Sequence, residues 1–208
     1  LDAGIRTAPI PDIGLTEAQI QAPGVWRKLA LFHPEVAAHA PGAWALFIDL
    51  DMMILGPLDP FLTDPVGIVL LDTGHDWRAY EPVQPSTGVF AFKLGEQQHI
   101  LSVFQSDISG AMARFRNEQD FVAAHATDLT LWPSGAVISF KRHLVRRFGL
   151  DLFLSVRPPF TGPAILAFHG EPRPSDLMRG GIWGRFPHLG RGPVRWVQDY
   201  WTRYGAHQ

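Results

Sequence analysis

Two aspartates, Asp49 and Asp51, stand one residue apart in WALFIDLDMMILGPLDPF (residues 44–61), a run that is otherwise almost wholly apolar. On a continuous strand both carboxylates would face one side, about 7 Å apart at a rise of about 3.3 Å per residue. Burying an unpaired carboxylate is expensive, and a like charge beside it adds repulsion. Three arrangements relieve the pair: solvent at a strand end, neutralisation by Arg or Lys, or a shared divalent cation. In parallel α/β sheets ligands gather beyond the carboxyl ends of strands, where a strand ending at Asp49 puts the pair. Hard carboxylate oxygens suit Mg2+ or Mn2+, ions that commonly bridge to phosphate oxygens.

A second chemical signal is AILAFHGEPRP (residues 164–174), in which His169 directly follows an apolar strand. Gly170 after it permits close backbone approach. Arg173 adds a planar, permanently charged fork matched to phosphate. One imidazole with two carboxylates would make a facial ligand set for Mn2+. Lys141, in VISFKRHL (residues 137–144), is also available to an anion, although a surface lysine is the simpler reading.

The elements that must position these residues follow from apolar periodicity. Trp44–Asp49, Val66–Leu71, Gly88–Phe92, Leu129–Trp132, Ala136–Phe140 and Ala164–Phe168 read as strands, Trp44–Asp49 as a parallel strand covered on both faces. Gly4–Ile10 reads as a short strand ended by prolines. Residues 23–40 read as a helix broken near Pro34, because proline lacks the amide a helix interior needs. Residues 95–115 have helical spacing, residues 117–126 form a helix capped by Asn117, and Val194–Tyr204 closes the chain as an amphipathic helix. This order predicts an α/β layered domain.

Composition bounds the function. The chain has 208 residues, enough for one sizeable core, with 46% hydrophobic and 12% aromatic residues. A formal net charge of −2 argues against nucleic-acid binding by bulk electrostatics. Zero cysteines exclude disulfides, thiolate metal sites and cysteine nucleophiles, in keeping with a reducing cytoplasm. No apolar run is long enough to span a membrane. The first residues lack a signal-peptide pattern, and the chain begins without methionine, which suggests a processed or truncated piece.

Four ordered segments, FIDLDMMILGPLDPF, PSTGVFAFKLGE, RNEQDFV and FHGEPRPSDL, together resemble the nucleotide-sugar glycosyltransferases of the glycogenin and lipopolysaccharide-galactosyltransferase type and their bacterial relatives with a GT-A fold. The resemblance implies a single transferase domain over residues 1–208, built on a mixed, mostly parallel sheet flanked by helices. It also implies that the N-terminal nucleotide-binding β-α units are incomplete, since only 48 residues precede Asp49. Asp49, Asp51 and His169 would hold Mn2+ or Mg2+ against the diphosphate of a nucleotide-sugar, a UDP-sugar by preference. Arg173, Gly170 and Lys28 would meet the phosphates, and Ser86 and Thr87 would line the sugar and acceptor cleft. Glu118, Gln119 and Asp120 would lie beside the transferred sugar, with Glu118 where the family more often has aspartate. The expected partner is a saccharide or lipid-linked acceptor, and the expected place is the cytoplasm, with the inner membrane face as a candidate position within it.

Simpler readings stand beside these. Glu118 and Asp120 equally suit a first helical turn facing the helix dipole. Most of the seven tryptophans read as core, with Trp183 as the best acceptor-side candidate. Two other functions compete. A degenerate GT-A-like domain would bind without turnover. A haloacid-dehalogenase-like phosphatase also uses an aspartate pair after an apolar strand, but Met53 stands where its motif has Thr or Val.

Overall fold

The computed structural model describes residues 7–62 and 66–204. In chain order the first elements are α1 (Glu17–Gln21), a 3-10 helix (Trp26–Phe32), α2 (Pro34–Ala38), β1 (Trp44–Ile48) and β2 (Met52–Ile54). Next come β3 (Ile68–Asp72), β4 (Pro85–Lys93), α3 (Gln98–Ser106), α4 (Ile108–Arg114) and α5 (Glu118–His125). The chain continues through β5 (Leu129–Leu131), β6 (Val137–Ser139), β7 (Ile165–Ala167), α6 (Pro174–Leu177), β8 (Gly181–Arg185), β9 (His188–Gly192) and α7 (Arg195–Tyr204). Contacts divide it into two compact units, the first Leu1–Phe47, Leu62–Leu70 and Pro85–Leu131, the second Ile48–Phe61, Leu71–Gln84 and Trp132–Gln208.

The first unit carries a four-stranded sheet in the order β1-β4-β3-β5. β4 buries seven consecutive residues, as a central strand covered on both faces must, whereas β1 is half-exposed along its whole length. The expectation that Trp44–Asp49 is covered on both faces is corrected by its burial: every residue of β1 is half-exposed, the strand lies at the edge of this sheet, and it stops at Ile48. β3 and β5 run parallel, Ile68 opposite Leu129. The core joins Trp26 and Leu29 to Phe90, Phe92, Phe104 and Phe121, with Trp26 stacked on Phe104 at 5.5 Å. Pro34 breaks the expected helix as predicted, and it opens α2 at a first-turn position where the missing amide costs nothing. Asp107 interrupts the long helix of residues 95–115 by accepting from Gly110 N, which starts α4. Asn117 caps α5, its Oδ1 accepting from Asp120 N at 2.9 Å. Of the strand expected at Gly4–Ile10, residues 4–6 lie outside the described residues, and residues 7–10 are irregular.

The second unit holds the three-stranded sheet β2-β7-β6 and the hairpin β8-β9. β7 pairs antiparallel with β2 and parallel with β6, so parallel and antiparallel pairs are mixed. Its core gathers Met53, Ile138, Phe140, Leu166, Phe168, Leu177, Trp183 and Val197. Trp196, Tyr200 and Trp201 of α7 pack against that core, and Tyr200 Oη accepts from Ile54 N at 3.1 Å. Trp183 is therefore a core residue with 3% exposure, lying edge-on to Phe140, and not an acceptor-side surface. No helix among the described residues is long and apolar enough to cross a membrane.

Candidate functional site

In the first unit, five of the residues singled out by sequence come together from three distant stretches. α5 projects Glu118 and Gln119 toward the start of β4. Thr87 Oγ1 donates to Glu118 Oε1 at 2.7 Å, and Ser86 Oγ donates to Gln119 Oε1, which also accepts from Thr87 N at 3.2 Å. Lys28, from the 3-10 helix, donates to Thr87 O at 3.3 Å and faces Glu118 Oε1 at 3.5 Å. Its ammonium also lies 5.0 Å from the centre of the Phe47 ring. Glu118 is 2% exposed, which a carboxylate tolerates only when hydrogen-bonded and paired. Asp120 is not part of this network: it pairs with the exposed Arg116 at 3.1 Å on the outer side of α5.

In the second unit, Asp49 and Asp51 lie in the turn between β1 and β2, and Asp51 O accepts from Phe168 N at 3.2 Å. The β2–β7 pairing thus brings the backbone of the aspartate turn beside the residue preceding His169. His169 Nε2 lies 2.7 Å from Ser139 Oγ, and its ring stacks on Trp77 at 5.1 Å. In either tautomer that nitrogen is engaged, as donor or as acceptor. Among the described residues, no group of three or more His, Asp or Glu side chains is placed to hold a metal ion. As placed, Asp49, Asp51 and His169 do not form such a group.

Gly170 has φ +68, a left-handed conformation that explains a glycine directly after His169. Arg173 is exposed at the start of α6, where its amide donates to Asp176 Oδ2 at 2.7 Å.

The positive charge that does converge lies beyond the adjacent carboxyl ends of β6 and β7. A single π turn, Phe140–Leu144, follows β6 and is closed by Val145 N donating to Phe140 O. Ser139 Oγ caps it by accepting from Arg142 N at 3.2 Å. Lys141 Nζ donates to His169 O at 2.8 Å. With Glu171 and the β8–β9 turn residues Arg185, Phe186, Pro187 and His188, Lys141 and Arg142 line a cavity of about 650 Å³. Burial and the neighbouring Arg142 hold the Lys141 ammonium below its ordinary range. Burial pushes Arg142 down as well, with Arg78 and Arg147 adding to it. His169 is pushed down to about 4 by burial first, then by Lys141, Arg142, Arg78 and His188. His188 is lowered by burial, Arg142, Lys141 and Arg147.

No protein-family model and no curated protein matches the chain. Among solved structures it is similar to the crystal structure of the glycosyltransferase GlyE in Streptococcus pneumoniae TIGR4, at 11% sequence identity and a TM-score of 0.48. That match covers 84% of this chain and 43% of GlyE, so the chain spans less than half the length of that neighbour.

Of the residues in the second unit, sequence reasoning missed Ser139, Trp77, Arg142, Arg185 and His188. The visible signal was the basic run Lys141, Arg142 and His143 after a buried strand. Ser139 and Trp77 carried none, because one reads as strand and the other as loop.

Proposed function

We propose that the chain is a glycosyltransferase that moves a sugar from a nucleotide-diphosphate donor, a UDP-sugar, to a glycan or lipid-linked acceptor. The observation that supports this reading is the convergence of Lys28, Ser86, Thr87, Glu118 and Gln119 on one buried network. Three separate stretches of the chain, each matched to a transferase motif by resemblance, meet there at hydrogen-bond distance.

In this reaction the bond from the anomeric carbon to the diphosphate oxygen breaks, and a bond from that carbon to an acceptor oxygen forms. The acceptor proton is released, and a nucleoside diphosphate leaves. Glu118 and Gln119 act through other groups: they fix the hydroxyls and backbone of Ser86 and Thr87 and hold Lys28 in place. A wall locked this way costs no reorganisation when the sugar binds, and such preorganisation is worth more than the same groups free in water. Asp49 and Asp51 are the carboxylates that would hold Mn2+ or Mg2+ when one is bound; the ion would supply charge neutralisation toward phosphate oxygens. His169 is not carried into that role.

Titration with a panel of UDP-, GDP- and ADP-sugars, followed by measurement of released nucleoside diphosphate, tests the proposal. Saturable binding of one nucleotide-sugar with slow release of its diphosphate supports it. Binding with no turnover against any acceptor points to the degenerate domain, and release of inorganic phosphate from a simple phosphoester points to a phosphatase.

A further inference from the structure

The second unit has more positive charge around one cavity than its own carboxylates neutralise. Arg146 is engaged by the buried Asp151 and by Ser155 O, Arg185 by Glu171 at 2.8 Å, and Arg78 by Glu81 at 3.3 Å. Among the described residues no carboxylate forms a close ion pair with Lys141 or Arg142, and Glu171 and Glu81 act on them only from a distance. Lys141 spends one donor on the His169 carbonyl, and Arg142 Nε is buried without a hydrogen-bond partner. A guanidinium nitrogen and an ammonium left this way in a half-buried site are costly unless something anionic meets them.

We propose that the cavity bounded by the π turn after β6, Glu171 after β7 and the β8–β9 turn is a binding site for a phosphate-type dianion, gripped by Lys141 and Arg142 without a metal ion. Three observations carry it. Lys141 and Arg142 extend from the carboxyl end of a strand paired in parallel with β7, the position at which α/β sheets collect ligands. They sit on a π turn capped by Ser139, a local widening that recurs at functional sites and here holds two neighbouring cations on one cavity. The cavity volume, about 650 Å³, falls within the range of small-molecule sites and exceeds a lone phosphate, which leaves room for the group that bears it.

The choice of ligand follows from the donors. Arg142 offers a planar fork and Lys141 a point charge, a combination suited to adjacent oxygens of a phosphate or diphosphate. Glu171 lines the same cavity, and its pair with Arg185 offsets part of its negative charge. The phosphate could belong to a nucleotide diphosphate or to a phosphorylated acceptor; the shared chemistry is the same. The site rests on the geometry of the second unit and does not depend on the transferase reading.

Calorimetric titration of the full chain in excess EDTA tests it, with pyrophosphate, UDP and glycerol 3-phosphate as separate probes. Saturable pyrophosphate binding is expected, weakening with added salt. The double variant Lys141→Gln/Arg142→Gln should lose about tenfold or more, the loss expected for removing charged hydrogen bonds. Because Lys141 also supports the His169 carbonyl, the charge-preserving pair Lys141→Arg/Arg142→Lys controls for folding and should retain most of the binding. UDP binding tighter than pyrophosphate assigns the phosphate to a nucleotide, and preference for glycerol 3-phosphate assigns it to a monoester. Absence of pyrophosphate binding in EDTA, or the same affinity in the folded Gln variant, overturns the site. Neither result bears on whether a nucleotide-sugar is turned over.

Discussion

Thr87 Oγ1 and Lys28 Nζ meet the same oxygen of Glu118, at 2.7 and 3.5 Å. One carboxylate thus joins a strand, a helix and a 3-10 segment inside the first unit. Replacing Glu118 by Gln keeps the shape but removes the charge facing Lys28. Breaking one partner of a buried pair costs about 3–5 kcal/mol, and that loss should appear as a lower urea midpoint. Thr87→Val should cost about 1–3 kcal/mol by leaving the carboxylate without its hydroxyl donor. An unchanged midpoint in both variants would show that the network is not formed in solution.

His169 should remain neutral across the physiological range, since its pKa is lowered from 6.5 to about 4. The unfolded chain then binds a proton that the folded one refuses between these values. Stability attributable to this residue is complete above about 6.5, and it falls as the pH drops from there toward about 4. An NMR titration of the His169 ring should find its midpoint well below that of a free imidazole. A midpoint at or above 6.5 would contradict the crowding by Trp77, Lys141 and Arg142.

What could be read from the sequence was whatever depends on local periodicity. The buried runs of β3 and β4, the Asn117 cap and the break at Pro34 all follow from residues within a few positions of each other. Strand order does not, which is why Trp44–Asp49 reads as covered on both faces yet its strand lies half-exposed at an edge. The hairpin β8-β9 escaped because RGGIWGRFPHLGRG mixes glycine, arginine and proline and shows no alternation. Within the candidate sites, resemblance gave Lys28 to the phosphates, Ser86 and Thr87 to the cleft, and Glu118, Gln119 and Asp120 to the sugar; packing brings all of these but Asp120 into one network. Resemblance also joined His169 to the aspartates, whereas tertiary packing gives that ring to Ser139 and Trp77.

The hairpin supplies a stability test of its own. A Cβ on Gly190 would overlap the indole of Trp183 and approach Asp151 Cβ at 2.8 Å. Trp183 is wedged in the core, and Asp151 is held by Arg146, so neither has room to retreat. Gly190→Ala should therefore cost about 1–3 kcal/mol through overpacking alone, read as a fall in melting temperature. Gly180→Ala, where an added Cβ meets nothing within 4 Å, should be close to neutral. Equal effects of the two would argue against the buried position of Trp183.

The aspartate turn and His169 can be separated by measuring metal affinity directly. Asp49 and Asp51 share a short turn, and the Asp51 carbonyl ties its backbone to Phe168 N. Asp51→Ala should therefore leave the chain folded, and it should abolish any Mn2+-dependent gain in nucleotide affinity. Asp51→Asn, which keeps the shape and removes the charge, should do the same. His169→Ala removes a ring already engaged by Ser139 and should leave Mn2+ affinity nearly unchanged, while lowering stability through the lost stack on Trp77. Pulsed manganese electron paramagnetic resonance on the three variants distinguishes these outcomes, because it resolves the coupling of an imidazole nitrogen bound to Mn2+. Loss of metal affinity in His169→Ala together with such a coupling in the parent protein would show that the ring leaves Ser139 to join the aspartates. Unchanged affinity in all three variants would remove Asp51 from metal binding altogether.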